Sequence, residues 1–502
     1  MPSTNENFLT TDHLKSDLKG RSVRGGIVTI IAEGLKFLIC MGSTVVLARL
    51  LTPKDFGLIA MVTAVTGFVM MFKDMGLSMA TVQRAEITHA QVSTLFWINV
   101  GVSILLMLVT AALGPAISWF YGDPRLTWIT IALAGGFIFG GLTIQHQALL
   151  RRQMRFTALA AVEIAGMSAG VLAAIISAFY GIGYWALVVM QVVMEAVMAL
   201  GVWIACGWRP GLPVRGSGVR EMLKFGGNLT GFNVVNYFAR NADNLLIGKF
   251  WGAKALGLYS KAYGLLMLPL SQINAPLSAV AIPALSRLQD DPDQYRNYYL
   301  KTIGMIALVT MPGVTFLIVM SKEIILLVLG PQWTNAAPIF TFLGLAALFQ
   351  PVSNTTGWLF VSQDRTNDMF RWSFIGGGLA VASIVTGLHW GAIGVAASYS
   401  ITDITIRTPL LYWFVGRKGP VMTKDIYNAL ILPVCTSLPI FLVLASFRSY
   451  ARLESQLVSL ICAMGLTLVT ACLVISATSR GRVMFRDAID SSRLIFVRNK
   501  AS

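Results

Sequence analysis

The chain has 502 residues, 55% of them hydrophobic and only 12% charged, with a mean hydropathy of +0.69. That balance excludes a soluble globule, which would have no polar surface to show, and places the chain among polytopic membrane proteins. The net charge is +16, but the bases sit in short clusters between apolar runs, so anionic lipid head groups and a topology rule account for them better than nucleic acid does.

Residues 1–24 are polar and carry Lys15, Lys19, Arg21 and Arg24. They lack a short apolar core followed by a small-residue cleavage site, so they read as a cytoplasmic N-terminal segment and not as a signal that is removed. Beyond them, apolar windows of about 20 residues mark fourteen spans, at 25–50, 56–73, 91–121, 126–150, 159–180, 184–206, 222–248, 257–286, 299–321, 334–362, 368–388, 390–415, 425–447 and 454–478. With the N-terminus inside, 26 Lys and Arg fall in cytoplasmic segments and nine outside. That is the asymmetry of the positive-inside rule, and it places both termini in the cytoplasm. The Gly/Pro-rich, basic stretch 207–221 is the one obvious linker. It separates a first six-helix lobe (25–206) from a second (222–415), followed by helices 13 and 14 (416–478) and a basic tail (479–502).

The two lobes are copies. Leu47-Ala-Arg-Leu-Leu-Thr-Pro-Lys-Asp-Phe-Gly-Leu58 recurs as Ile247-Gly-Lys-Phe-Trp-Gly-Ala-Lys-Ala-Leu-Gly-Leu258, with bases at Arg49 and Lys249, lysines at Lys54 and Lys254, and Gly-Leu at 57 and 257. Six helices per copy is an even number, so the repeat is parallel, about an axis along the membrane normal. A weaker echo pairs Tyr180-Gly-Ile-Gly183 with Trp390-Gly-Ala-Ile-Gly394 at an offset of 210, which implies about ten extra residues in the second lobe; Gln289-Asp-Asp-Pro-Asp293 is a plausible place for them. The expected fold is an all-α polytopic membrane protein with about 14 transmembrane helices, two parallel-repeat lobes and two extra C-terminal helices.

Polar residues inside the first helix of each lobe repeat as well. Glu33, Lys36, Cys40, Ser43 and Thr44 share a helical face, and 200 positions on stand Asn233, Asn236, Arg240, Asp243 and Asn244. Charge within a span is costly and marks a cavity or a partner, so the two helices read as lining a central cavity with Lys36, Arg240, Glu33, Asn236, Asp243 and Asn244 as its binding groups. Arg49 and Lys249 would stand at its outer mouth. The alternative is that Glu33 with Lys36, and Arg240 with Asp243, are internal i,i+3 pairs that only hold helices together; likewise the repeated turns at Gly57 and Gly257 could serve lobe folding alone. Asp403 and Arg407 form a third pair, with Arg407 near enough to the inner end to snorkel. Glu163 and Glu195 have no partner within a helical turn and read as packing hydrogen bonders before proton-coupling acids. Lys73-Asp74 reads as an interfacial pair, and His146, between Gln145 and Gln147, as a satisfied hydrogen bonder. Gly166 with Gly170 has helix-contact spacing, and Pro269, Pro276 and Pro283 should bend the eighth helix. The five cysteines are scattered through apolar segments as packing residues. No catalytic motif, metal-ligand spacing or cofactor signature stands out, and no loop has room for an enzymatic domain.

The run from Val46 to Ala60, followed by Asp74-Met-Gly-Leu-Ser78 and Val82-Gln-Arg84, resembles the polysaccharide transporter family. These are Wzx-type flippases of the colanic acid or succinoglycan exporter kind, within the multidrug/oligosaccharidyl-lipid/polysaccharide (MOP) exporter superfamily. The second-half pattern Asn241-Ala-Asp-Asn-Leu-Leu-Ile-Gly248, then Leu256-Gly-Leu-Tyr259 and Ala262-Tyr263, is similar to the same family. The resemblance covers most of spans 1 to 12 and implies alternating access by two lobes, with helices 13 and 14 as peripheral additions. It implies an undecaprenyl-diphosphate-linked oligosaccharide as cargo for exopolysaccharide or lipopolysaccharide synthesis, carried across a bacterial inner membrane. Membrane lipids, a polysaccharide polymerase and a co-polymerase would be the partners, with no nucleic acid. Lys36 and Arg240 would offset the diphosphate charge, and Asp243 or Glu163 would be the ion-coupling acids. Two other functions compete: an ion-coupled exporter of small molecules from the same superfamily, and an intramembrane glycan polymerase or ligase. The first is disfavoured for cationic drugs by a basic cavity, the second by the absence of a long catalytic loop.

Overall fold

The computed structural model describes residues 9, 18–73, 77–84, 86–214, 220–451, 453, 455–479 and 481–482, without the side chains of 18–19, 77, 80, 220–236, 238–240, 273–276 and 279. Among these residues helices dominate, joined by short turns and irregular segments, with no strand. Among the described residues, eleven helical stretches are long and apolar enough to cross a membrane. One of them, Thr366–Gly416, runs for 51 residues, which is longer than one crossing requires. The chain forms two compact units, Met1–Gly257 and Leu258–Ser502.

The first unit holds α1 (Leu18–Leu50), α2 (Pro53–Met70), α3 (Leu77–Gln83), α4 (His89–Tyr121), α5 (Arg125–Ala134), α6 (Gly136–Arg152), α7 (Phe156–Phe179) and α8 (Trp185–Ala205). It also takes in the first limb of α9 (Arg220–Arg287), a 68-residue element broken at Gly252, whose φ of 75° and ψ of 179° only glycine adopts freely. The sequence reading divides the lobes at the linker, whereas the packing divides at 257, because limb 220–251 belongs with the first unit. The described start of the linker, residues 207–214, packs against the first unit. Trp208 is fully buried, and residues 211–214 are pinned along α4: the Gly211 N–H donates to Ser93 Oγ (2.9 Å), Trp97 Nε1 donates to Gly211 O (2.9 Å) and the Val214 N–H donates to Thr94 Oγ1 (3.1 Å).

Local signals explain where several helices begin. In α2, Thr52 and Asp55 form a capping box, with Pro53 in the first turn; the Thr52 N–H donates to Asp55 Oδ2 at 2.9 Å and the Asp55 N–H to Thr52 Oγ1 at 3.4 Å. Thr88 and Gln91 do the same for α4, which ends at left-handed Gly122. α7 packs on α8 through Gly166 and Gly170, where an added Cβ would stand 3.1 Å from Met194 O and 2.6 Å from Met190 O. This is the small-residue contact that their spacing predicts.

The second unit holds the rest of α9, α10 (Pro292–Val319), α11 (Ser321–Val328), α12 (Ala336–Ser362), α13 (Thr366–Gly387), α14 (Gly391–Thr402), a π-helical turn (Asp403–Arg407), α15 (Thr408–Gly416), α16 (Thr423–Tyr450) and α17 (Gln456–Ala477). Its core gathers Tyr295, Tyr299, Leu359, Tyr412, Ile426 and Leu430. α16, read from the sequence as the thirteenth span, contributes Ile426 and Leu430 to this core, and its Asp425 pairs with Arg296 of α10. Large apolar side chains remain bare on both units, such as Ile204, Leu200 and Leu473. That is the inverse of a soluble surface and suits lipid.

The duplication is written into the backbone. Met154 and Asp364, 210 positions apart, are the two described non-glycine residues with positive φ, 52° each. Each follows a helix, and the next N–H closes the turn in the same way: Arg155 onto Leu150 O (2.9 Å) and Arg365 onto Phe360 O (2.7 Å). The guanidinium of Arg155 then donates to Ala205 O (3.0 Å), and that of Arg365 to Val415 O (3.1 Å), again 210 apart. Gly181 and Gly391, at φ 75° and 74°, make the matching turn one helix later. A left-handed Met costs about 1–2 kcal/mol, and the paired hydrogen bonds hold it in place.

Candidate functional site: charges inside the helices

Lys36 lies near the middle of the apolar stretch Gly20–Leu50. Its Nζ is 2.6 Å from Glu33 Oε1 on its own helix and 2.8 Å from Glu163 Oε2 on α7. Glu163, unpartnered in the sequence reading, finds its counter-ion on another helix, across the α1–α7 packing that no spacing rule displays. The Lys36 and Glu163 side chains keep 23% and 29% of their surface, whereas Glu33 keeps 50%. One ammonium shared by two carboxylates gives the cluster a formal charge of −1. Lys36 is thus not a bare anion hook; an incoming anion has to displace a carboxylate or wait for one to be neutralised.

The first limb of α9 leans on α2. Tyr237 Oη donates to Ala64 O (2.9 Å) and lies over Gly67, where a Cβ would be 2.4 Å away. Asp243 Oδ1 accepts the Asn244 N–H at 2.8 Å, and Asn241 Nδ2 donates to Tyr237 O at 3.0 Å. The side chains of Asn236 and Arg240 lie outside the described residues. Among the expected binding groups, the structure brings Lys36, Glu33 and Glu163 together, and Asp243 with Asn244.

The repeated turns meet each other. A Cβ on Gly57 would stand 1.7 Å from Ala253 O, and one on Gly257 would stand 1.8 Å from Pro53 O. The two Gly-Leu motifs therefore cross reciprocally, backbone on backbone, and each glycine is there because nothing larger fits. The same turn has two builds: a Thr-Pro-Lys-Asp capping box in the first copy, and a glycine break at Gly252 in the second. Lys249 is not a free mouth cation either. It donates to Phe120 O and rests 4.9 Å above the Phe120 ring. Arg49 is exposed.

The remaining intramembrane polar groups sort into anchors and open cases. His146 is fully buried, bonded through Nδ1 to Leu142 O (3.1 Å) and stacked on Trp203 at 4.6 Å. Arg152, buried and missed by the sequence reading, donates to Leu9 O, Thr81 O and Arg84 O, tying down the end of α3. Lys73 stretches over Gly140, where a Cβ would meet Nζ at 2.1 Å; Asp74 lies outside the described residues. Glu195 buries Oε2 against Gly136 without a hydrogen bond. In the second unit, Arg407 Nη1 donates to Asp403 Oδ1 (2.5 Å) and Tyr399 Oη (3.0 Å), and its Nε is buried with no acceptor. It turns inward along a π-helical turn, a geometry that often marks functional positions, and does not snorkel.

Comparison with known proteins follows this geometry. The chain is 28% identical over 423 residues to the lipopolysaccharide biosynthesis protein WzxC of Escherichia coli, covering 83% of this chain and 85% of that one. It is 29% identical over 358 residues to the teichuronic acid biosynthesis protein TuaB of Bacillus subtilis, covering 70% and 74%. Among solved structures, the lipid II flippase MurJ in an inward closed conformation superposes with a TM-score of 0.71 over 93% of this chain and 100% of that chain, at 15% identity. An inward-facing multidrug resistance MATE family transporter of the MOP superfamily superposes with a TM-score of 0.60, over 78% and 96%, at 13% identity. These likenesses show a shared membrane-transporter fold. A family model described as polysaccharide biosynthesis protein matches residues 46–338, more than half of the sequence, and the chain belongs to that family.

Proposed function

We propose that this protein is a transporter, not an enzyme, and that it carries a polyprenyl-diphosphate-linked oligosaccharide from the inner to the outer leaflet of a bacterial inner membrane by alternating access. The observation that carries the reading is the ammonium of Lys36, held in mid-span by carboxylates from two helices in a chain of the polysaccharide biosynthesis family. The fold shared with a lipid II flippase and the names of WzxC and TuaB support it.

In this reading the cluster works by exchange. While both acids are charged, Lys36 is occupied. A proton or cation that neutralises Glu163 leaves the ammonium held by the exposed Glu33 alone and able to turn toward the cargo's diphosphate, and loss of that ion recaptures it. Arg240, Asn236, Asp243 and Asn244 would serve the same cavity from α9, with Asp243 as the second coupling acid and Arg49 at the outer mouth. The two copies of the repeat are 25–206 and 222–415, although packing assigns limb 220–251 to the first unit, and both termini are cytoplasmic. A fourteen-span count follows if α9 crosses twice about Gly252 and the 51-residue stretch crosses twice about Gly391. A polymerase and co-polymerase would receive the cargo.

Replacing both bases, Lys36→Ala with Arg240→Ala, should abolish polymer export with normal membrane insertion; full export would sink the cavity assignment. A second reading, export of small cations, gains from the cluster's formal charge of −1, which removes Lys36 as a repulsive group. Deletion separates the two: accumulation of a lipid-linked glycan in the cytoplasmic leaflet supports the flippase, and drug sensitivity without accumulation supports the exporter.

A further inference from the structure

A cavity of about 370 Å³ opens in the second unit between α9 and α12, lined by Met267, Leu270, Ser271, Ser278, Gln350, Pro351 and Asn354. That volume is within the range of small-ligand sites, roughly 300–1,000 Å³. Gln350 and Asn354 stand one turn apart on α12, and Ser271 and Ser278 two turns apart on α9, so each pair shares a helical face. Ser271 Oγ donates back to Leu268 O (2.9 Å), and Ser278 Oγ accepts from Trp358 Nε1 (3.0 Å). Among the described residues neither carboxamide has a hydrogen-bond partner.

The lining selects its ligand by exclusion. Among the described residues it holds no base, so a diphosphate would enter unpaired, and no acid, so a cationic drug gains nothing. An acyl chain would strip water from two carboxamides and return no hydrogen bond. What fits is a neutral group with many hydroxyls and an apolar C–H face. Each carboxamide offers two donors and an acceptor with two lone pairs, complementary to vicinal hydroxyls, while Met267, Leu270 and Pro351 supply the apolar wall. We propose that this cavity is a subsite for a neutral sugar ring of the transported glycan, separate from the Lys36 cluster that would meet the diphosphate. The inference deepens the flippase reading and rests on it.

The test uses the full-length protein in nanodiscs with two probes, polyprenyl diphosphate bearing a neutral oligosaccharide and the same lipid without sugars. Gln350→Met with Asn354→Leu preserves shape and breaks no protein hydrogen bond, so the fold should be kept; Ser271→Ala serves as a milder variant. Wild type should bind the glycosylated lipid more tightly than the bare one. The double variant should lose about tenfold toward the glycosylated lipid, the worth of two neutral hydrogen bonds, and nothing toward the bare one. Unchanged binding of both lipids, or equal losses for both, would overturn the subsite and leave the flippase reading standing. If wild type bound neither lipid, the flippase reading would fall and the subsite with it.

Discussion

The Lys36–Glu163 contact can be weighed by a double-mutant cycle built from Lys36→Met and Glu163→Gln. The charges lie 2.8 Å apart with about a quarter of each side chain exposed. At an effective dielectric near 20, Coulomb's law gives a gross attraction of about 6 kcal/mol at that distance. Desolvation of both groups offsets most of it, leaving about 1.5–3 kcal/mol, the net worth of a hydrogen bond to a charged group. The Glu33 arm is shorter, at 2.6 Å, but it joins an acid with half its surface exposed and lies within one helix. Its coupling should be about 0.5 kcal/mol. A second cycle pairs Lys36→Met with Glu33→Gln, and unfolding in mixed micelles, followed by tryptophan fluorescence, gives both couplings from the single and double variants. The two couplings should differ by about 1 kcal/mol or more; agreement within about 0.5 kcal/mol would refute the claim that the interhelical arm dominates.

Two further outcomes follow from the packing. Gly57→Ala and Gly257→Ala should each drive a methyl into a backbone carbonyl, at 1.7 Å and 1.8 Å, and cost about 3 kcal/mol or more, whereas Gly42→Ala enters open space and should be silent; fluorescence-detected size exclusion of the three variants decides it, and a monodisperse Gly57→Ala at wild-type yield would contradict the crossing. Asp403→Asn should leave Arg407, already short of one acceptor, without its counter-charge, at about 2–3 kcal/mol; this is below the roughly 3–5 of a fully buried pair because Arg407 keeps 30% of its surface. Its thermal unfolding midpoint should fall below that of wild type, and a midpoint equal to wild type within error would contradict the pairing.

Legibility followed the range of the interaction. Helices and the parallel duplication depend on neighbours a few positions apart or on a fixed offset, so Gly166 with Gly170 and the 210-residue echo at Gly181 and Gly391 could be read from the chain, while the Thr52–Asp55 capping box emerged only in the structure. The partner of Glu163 could not, because α1 and α7 meet 127 residues apart, and any of several intramembrane bases satisfied the same rule. For the same reason Lys249 read as a mouth cation until Phe120 was seen to hold it. Arg152 passed as one more cytoplasmic base, since only folding brings the carbonyls near Leu9, Thr81 and Arg84 to its guanidinium.

The sequence by itself determined that this is a duplicated helical membrane protein with charged residues placed within the first helix of each copy, because hydropathy and repetition are properties of the chain. The tertiary structure alone decided what those charges and motifs meet: that Lys36 is shared by two acids, that the repeated glycines cross each other backbone to backbone, and that α16 contributes to the core of the second unit. Such assignments depend on distances between helices, and in a bilayer close packing and polar pairing set those distances, not the apolar pattern that writes the helices themselves.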